Sequence, residues 1–315
     1  MHLPYSRALV ILLISTSGLL AQDADLAPFL GVWVHQDQAS QERVILGVSE
    51  QRLAMSFDGK LVGANVHNRA QDGRLRPRAP DSDVAYVRDG ADLLMHQGSG
   101  DARTEVRFLR SHELADHDQV ALRPLTLGAR QPDAAERKQI TAEFARRFAA
   151  DQAVRARIGA IMGKPASEWT DEEREAVVRM HGTDKDNLTW FQAMLRDIGW
   201  PDRRRYGQEA AQAGLFLALH SHDIPLMMAV TAVLKEDRKQ EMSYAMLSDR
   251  LALLMHEPQQ YGVQVGSDGK GGMHMYVIAD RTQLNANRRR IGLPPLEEMI
   301  KAYGERLRVV SAEEE

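Results

Sequence analysis

The chain has 315 residues, a formal net charge of −4 and no cysteine. The absence of thiols excludes a disulfide framework, a thiolate metal site, a cysteine nucleophile and a lipid-modified N-terminal cysteine. So small a net charge gives no field for steering a polyanion or an anionic membrane surface, and nothing in it argues for nucleic acid.

Residues 1–21 have the layout of a secretory leader, with Arg7 ahead of an apolar run from Ala8 to Leu13 that continues through small residues to Leu20. Cleavage after Ala21 is expected, with Gly18 and Ala24 as alternatives. The run is short and broken by Ser, Thr and Gly, so an exported protein, periplasmic or secreted, without a stable membrane span after cleavage is expected, and an uncleaved anchor is the alternative. The rest divides by period into a β-rich, barrel-like domain at 25–128, a helical domain at 133–309 and a disordered tail at 310–315.

From Phe29 to about Leu127 short strands are expected at "GVWVHQ", "RVILGV", "RLAMSF", "DVAYVR", "DLLMHQ", "TEVRFLR" and "QVALRPL", separated by turns such as Asp58-Gly59 and Asp89-Gly90. Leu53, Met55 and Phe57 alternate with Arg52, Ala54 and Ser56, the pattern of a strand with one face buried. An antiparallel β barrel or sandwich follows. "FLGVWV" resembles the Gly-x-Trp opening strand of lipocalin-like barrels, which implies either a cup for a small apolar ligand or a barrel packed with its own side chains.

At Pro132 the period becomes helical. Asp133 and Glu136 form a capping box, and Ile140, Phe144 and Phe148 share a stripe. Thr170 and Glu173 cap a segment running through Val177 to Met180. A separate segment carries Leu188, Phe191, Leu195 and Ile198 up to "GWP". A helix from about Tyr206 to His220 is followed by one that starts at the N-cap Asp223 with Pro225 in its first turn. "EMSYAMLSDRLALLMHE" supplies another and "LEEMIKAYGERLRVV" the last, with a hairpin joining "YGVQV" to "MHMYVI" between them. The expected class is α+β: an antiparallel barrel or sandwich, then a mainly α-helical domain containing a short β-hairpin.

The helix ending at His220 is apolar nearly all round, so a histidine on its inner face requires a hydrogen-bond partner or a ligand. Asp249 raises the same requirement, since it shares a face with Met242, Met246 and Leu253. "HSHD", His220 to Asp223, contains metal-ligand types, but residues at i and i+2 of a helix do not share a face, and no metal or cofactor is assigned. "HGTDKDN" resembles a calcium loop but lacks the glycine at its sixth position, and helix capping by Thr183, Asp184 or Asp186 explains it better. Arg203 to Arg205 and Arg288 to Arg290 are able to receive an anion or to form a solvated face. No Gly-x-Ser-x-Gly elbow, His-Glu-x-x-His helix or dinucleotide fingerprint is present.

"DKDN" (Asp184 to Asn187), "GWP" (Gly199 to Pro201), "LHSHD", "DR" (Asp249, Arg250), "YGVQ" (Tyr261 to Gln264) and "NRRRIGLPPLEEM" follow one another over roughly Asp151 to Tyr303. In order and spacing they resemble a bacterial helical family of domains of unknown function with Asp-x-x-Asn, Gly-Trp-Pro, Gln-His-x-Asp, Asp-Arg and Tyr-Gly-Thr-Gln landmarks. Leu219 and Val263 stand where that pattern has glutamine and threonine. The resemblance implies no reaction. It makes these segments fixed parts of one domain, and Asn187, His220, Asp249, Arg250, Tyr261 and Gln264 are expected to converge as a polar cluster between helices under the hairpin. In one reading they form a structural network. In the other they form a cleft where His220, oriented by Asp249, is a general base, Arg250 or Tyr261 stabilises negative charge, and Asn187 and Gln264 bind ligand. Two function classes follow: a binding or interaction protein with a small-molecule or protein partner, and a hydrolase-like enzyme.

Overall fold

The computed structural model describes residues 27–37, 42–49, 52–57, 60–64, 67–69, 73–77, 84–98, 103–112, 120–158, 161, 168–237, 241–255, 257–267, 273–303 and 307–309. The leader-like stretch, the 310–315 tail and the Asp58-Gly59 turn lie outside them.

Nine strands form one antiparallel sheet: β1 (Gly31–His35), β2 (Arg43–Ser49), β3 (Arg52–Phe57), β4 (Lys60–Ala64), β5 (His67–Arg69), β6 (Leu75–Pro77), β7 (Val84–Asp89), β8 (Asp92–Gln97) and β9 (Thr104–Arg110). Their order is β4-β3-β2-β1-β9-β8-β7-β6-β5, so the first and last strands lie side by side and β4 and β5 form the two edges. The sheet is a curled half-barrel, an up-and-down barrel left open at one seam.

Alternation along the strands sorts side chains onto two faces. Trp33, Val44, Leu46, Leu75, Leu93 and Phe108 fill the enclosed face. Trp33 is fully buried, its indole Nε1 donates to the Phe29 carbonyl at 2.8 Å, and the guanidinium groups of Arg88 and Arg110 lie 4.7 and 5.5 Å from its ring centroid. Burial pushes the Tyr86 phenol in this layer up to about 12. The described strands therefore build a packed interior rather than the cup that the Gly-x-Trp likeness offered. On the other face, Val32, Ile45, Ala54 and Leu61 pack against Ile224 and Met255, which joins the sheet to the helices.

The described part of "QVALRPL", residues 120–125, pairs with no strand. Val120 and Leu122 cross the outer face of the sheet as extended chain, and Val120 passes so close to Gly47 that a β-carbon there would sit 2.7 Å from Val120 Cγ2. The segment next runs over the end of the second helix, where the Gly128 amide donates to the Leu195 carbonyl at 2.9 Å and the Arg130 amide to the Asp197 carbonyl at 3.1 Å. A β-carbon on Gly128 would lie 2.1 Å from the Asp197 carbonyl oxygen and 2.3 Å from that of Arg196. Backbone on both sides leaves nothing flexible to yield, so Gly128→Ala is expected to destabilise the protein by about 1–3 kcal/mol. An unchanged thermal midpoint would refute this close approach.

Among the described residues seven helices follow: α1 (Ala134–Ile158), α2 (Asp171–Ile198), α3 (Arg203–Ser221), α4 (Ile224–Glu236), α5 (Glu241–Leu254), α6 (Arg281–Arg290) and α7 (Leu296–Tyr303). A hairpin of β10 (Val265–Ser267) and β11 (Met273–Met275) separates α5 from α6. Residues expected to end the last helix instead form β12 (Leu307–Val309), parallel to β11. The β-branched Val309 suits a strand, and a free edge on β11 offers the pairing.

The Thr170 and Glu173 box and the Asp223 cap with Pro225 behind it are formed as expected. The Asp133 carboxylate accepts from the Glu136 amide at 2.9 Å, but the Glu136 side chain binds Arg130, so this box is half formed. The two segments expected between Thr170 and Ile198 are one helix of 28 residues, with Thr183, Asp184 and Asp186 inside it rather than capping an end. Just beyond Gly182, Asp184 and Asp186 find arginine partners on α1. Tyr206, Ala210, Ala213, Leu217 and Ala218 bury α3, and Pro201 and Trp200 close to 3.1 and 3.3 Å of the β-carbon position of Gly214, which fixes the place of Gly-Trp-Pro.

Candidate functional site

The stripe Ile140, Phe144, Phe148 on α1 continues at helical spacing to Asp151 and Arg155. Asp151 is thus carried inward by the same face that supplies the core. Its side chain is completely buried. Across the seam, α3 presents His220, whose Nδ1 lies 3.0 Å from each Asp151 carboxylate oxygen. Arg155 Nη1 donates to Asp151 Oδ1 at 2.6 Å, and Gln152 Nε2 donates to Oδ2 at 2.9 Å. Burial alone would raise the Asp151 pKa, but the hydrogen bond and charge of His220, together with Arg155, outweigh it and hold the carboxyl below its ordinary value.

On α2, Asp184 and Asn187 stand three residues apart and share a face, which gives the Asp-x-x-Asn spacing a physical reason. Arg155 Nη2 donates to both Asp184 oxygens at 2.9 and 3.1 Å. Arg147 Nη1 donates to Asn187 Oδ1 at 3.0 Å and to Asp186 at 2.8 Å. The Arg147 guanidinium also lies 4.7 Å from the Trp190 ring centroid, and its Nε is 2.7 Å from Glu143 Oε1 but misaligned for a hydrogen bond. Asn187 Nδ2 is buried without a partner.

The six residues expected to converge divide into two places. His220 and Asn187 belong to the α1–α2–α3 seam. Asp249, fully buried on α5, accepts from the backbone amides of Gln260, Tyr261 and Val263 at 2.8 to 3.2 Å and so pins the loop before the hairpin. The acid that orients His220 is accordingly Asp151, not Asp249, whose oxygens are committed to main-chain donors. Desolvation raises the Asp249 pKa against the pull of those amides. Tyr261 is 1% exposed, and its hydroxyl accepts from Arg290 at 2.9 Å. The Gln264 side-chain amide donates to the Met246 carbonyl at 3.2 Å. Both hold the loop, and among the described residues neither is hydrogen-bonded to His220.

Arg288, in the run read as an anion receiver or solvated face, is 1% exposed and clamps the Tyr261, Gly262 and Pro294 carbonyls. Arg205 instead pairs with Asp202 and donates to Gln131. His222 leaves the helix in a left-handed conformation, φ 49°, and its Nδ1 lies 3.1 Å from the His220 carbonyl, so the two imidazoles do not converge. Among the described residues no group of three or more His, Asp or Glu is placed to hold a metal ion.

Arg250 differs from every charged group above. Among the described residues it makes no hydrogen bond or ion pair, its Nε is enclosed, and the residue as a whole stays partly exposed. Desolvation lowers its pKa below the ordinary arginine value, with Arg155 adding to that and Tyr276 opposing it.

Sequence reasoning missed Asp151 and Arg155, and the signal that marks them is a carboxylate and a guanidinium falling on an otherwise apolar helical stripe. The chain matches no curated protein and no solved structure. Residues 138–309, just over half of its length, match the profile of a family of unknown function (DUF6624), and the chain belongs to that family.

Proposed function

We propose that the helical domain is a hydrolase-like enzyme whose proton-transfer group is His220, oriented by Asp151, in a protein exported under the leader-like residues 1–21. The observation that carries this reading is the geometry of one imidazole. Nδ1 is held by a fully buried, Arg155-supported carboxylate, and among the described residues Nε2 has no protein partner and is not enclosed. A hydrogen bond from Nδ1–H to Asp151 fixes the tautomer with a lone pair on Nε2, the arrangement of a general base. A water on Nε2 attacks an acyl centre, the imidazole takes its proton, and the nearby carboxylate stabilises the imidazolium before the proton passes to the leaving group.

A purely structural histidine would not need a free Nε2. Diethyl pyrocarbonate, followed by peptide mass analysis, is expected to modify His220 in the folded protein at least as fast as a solvent-facing histidine. In a panel of chromogenic esters and amides, any turnover is expected to fall about 10²- to 10⁴-fold in His220→Gln. A His220 that stays unmodified in the folded chain, or turnover indifferent to His220→Gln, overturns the reading. The β-rich half contributes an outer face that seats the helices, and its filled interior gives no independent support to a ligand-holding role.

A further inference from the structure

Phe148 and Asp151 stand three residues apart on α1, and Phe216 and His220 four apart on α3. On each helix an aromatic ring therefore shares a face with one member of the His220–Asp151 pair, a turn earlier. The two phenylalanine rings meet across the seam, their centroids 5.3 Å apart at 35°, and the Phe216 centroid lies 5.9 Å from that of the His220 ring at 47°. Phe148, Phe216 and His220 thus form a row of three rings. Phe144 and Phe191 in the core beneath are fully buried, whereas every member of the row keeps part of its surface exposed. Core packing accounts for the buried parts of Phe148 and Phe216. It does not account for aromatic surface left exposed on two helices beside an imidazole whose Nε2 is open.

We infer that Phe148 and Phe216 are the acyl-binding wall of the His220 site and select an uncharged ester or amide of an aromatic acid. Aromatic rings pair in offset or edge-on arrangements with centroids about 4.5–7 Å apart, the spacing already repeated along the row, so an aryl group on the ligand extends it. An aroyl ester or amide carries its carbonyl carbon directly on that ring, which brings the carbonyl beside the water on Nε2. The groups joined to the imidazole decide the charge. Asp151 and Asp184 share the guanidinium of Arg155, so with His220 neutral this set carries one net negative charge and repels a carboxylate. A cation is the poorer fit, because both carboxylates already hold donors and phenylalanine is a weaker face for a cation than tryptophan. Hydrolysis adds water to the acyl carbon, breaks its bond to the leaving oxygen or nitrogen and gives an arenecarboxylate. The charge that admits the neutral substrate therefore expels the product.

This inference rests on the general-base reading of His220, and binding can be measured apart from catalysis. Benzamide is titrated into the full chain while the His220 ring signal, assigned with His220→Gln, is followed by NMR, with benzoate, benzylamine and acetamide as the anionic, cationic and ringless comparisons. A saturable benzamide shift is expected, with benzoate weaker by about tenfold or more. Phe148→Leu and Phe216→Leu keep an apolar side chain against the core but remove the flat face, and each should weaken benzamide about two- to tenfold. Thermal midpoints of both variants are recorded, and the ligand series on the wild type needs neither variant. Benzoate, benzylamine or acetamide binding as well as benzamide, or benzamide binding indifferent to both leucine variants, overturns the wall. Benzamide binding that depends on both rings, with no turnover of any ester, leaves the wall standing and removes the hydrolase reading. Turnover that needs His220 but treats acetyl and benzoyl esters alike keeps the hydrolase and removes the wall.

Discussion

Asp151→Asn is expected to lower any turnover at the His220 site by about 10²- to 10⁴-fold while leaving most of the fold in place. The amide keeps the size of the carboxylate but not its charge, and with its NH₂ toward His220 it offers a donor to a donor. The imidazole then loses the preference that directs a lone pair to Nε2. Asp151→Ala goes further: His220, Arg155 and Gln152 lose one shared acceptor, and breaking such a buried charged pair costs about 3–5 kcal/mol. Comparing the two variants separates orientation from support, because a structural role alone makes the alanine variant worse in melting temperature and leaves the pH profile of turnover unmoved. The acid limb gives an independent readout. The folded pKa of Asp151 is depressed, so its contribution to stability is fully present above the unfolded value of about 3.9 and is lost as pH falls through the lower folded value. Stability in Asp151→Asn should therefore be less sensitive to pH in that acid range than in the wild type. An equal acid dependence in both proteins sinks the assigned ion pair.

How much of this was legible depends on whether the signal is local. The strand at "RLAMSF", the caps at Thr170 and Asp223 and the apolar surface of α3 are properties of a few adjacent residues, and each is realised in the structure, although both faces of the strand are buried, with Ala54 and Ser56 fully enclosed where the alternation predicted an open face. The demand that His220 have a partner was legible for the same reason. The identity of the partner was not, since Asp151 lies 69 residues earlier and reads in isolation as a solvated residue in a charged helix. Its place on the Ile140–Phe144–Phe148 stripe was the available clue. Asp249 was legible as buried, but a carboxylate answered by main-chain amides looks in sequence just like one answered by a side chain. The short strands β4, β5 and β6 and the helix α6 also escaped. The strands carry only three to five residues each, and α6 has a polar, arginine-rich sequence whose burial rests on Leu284 and Arg288. The two expected helices are one helix, α2, whose Asp184 and Asp186 pair with arginines of α1, partners that no local pattern in "HGTDKDN" contains.

Asp249→Ala is expected to destabilise the protein by about 3–5 kcal/mol, because it strands main-chain donors in a buried place. The amides of Gln260, Tyr261 and Val263 all converge on this carboxylate. The loop they belong to is in turn gripped by Arg288 through the Tyr261 and Gly262 carbonyls and carries Gln259, which anchors the hairpin. Loss of the acceptor therefore loosens α6 and the hairpin together. Amide hydrogen exchange should show lost protection at residues 259–264 before α1 and α3 are affected, and full protection there in a stable variant would refute the anchor. The pH signature has the opposite sign to that of Asp151. Desolvation raises the folded pKa of Asp249 above its unfolded value, so folding favours the protonated acid, and stability falls as pH rises from about 3.9 through the raised folded value. Asp249→Asn removes that loss but leaves an amide that satisfies fewer of the loop donors than the carboxylate. Its stability deficit against the wild type should accordingly be larger at acidic pH, below the raised value, than at neutral pH. The deficit of Asp151→Asn runs the other way, shrinking as acid removes the charge that only the wild type carries. One pair of denaturation series across pH thus distinguishes the carboxylate that holds the His220 imidazole from the one that holds a loop.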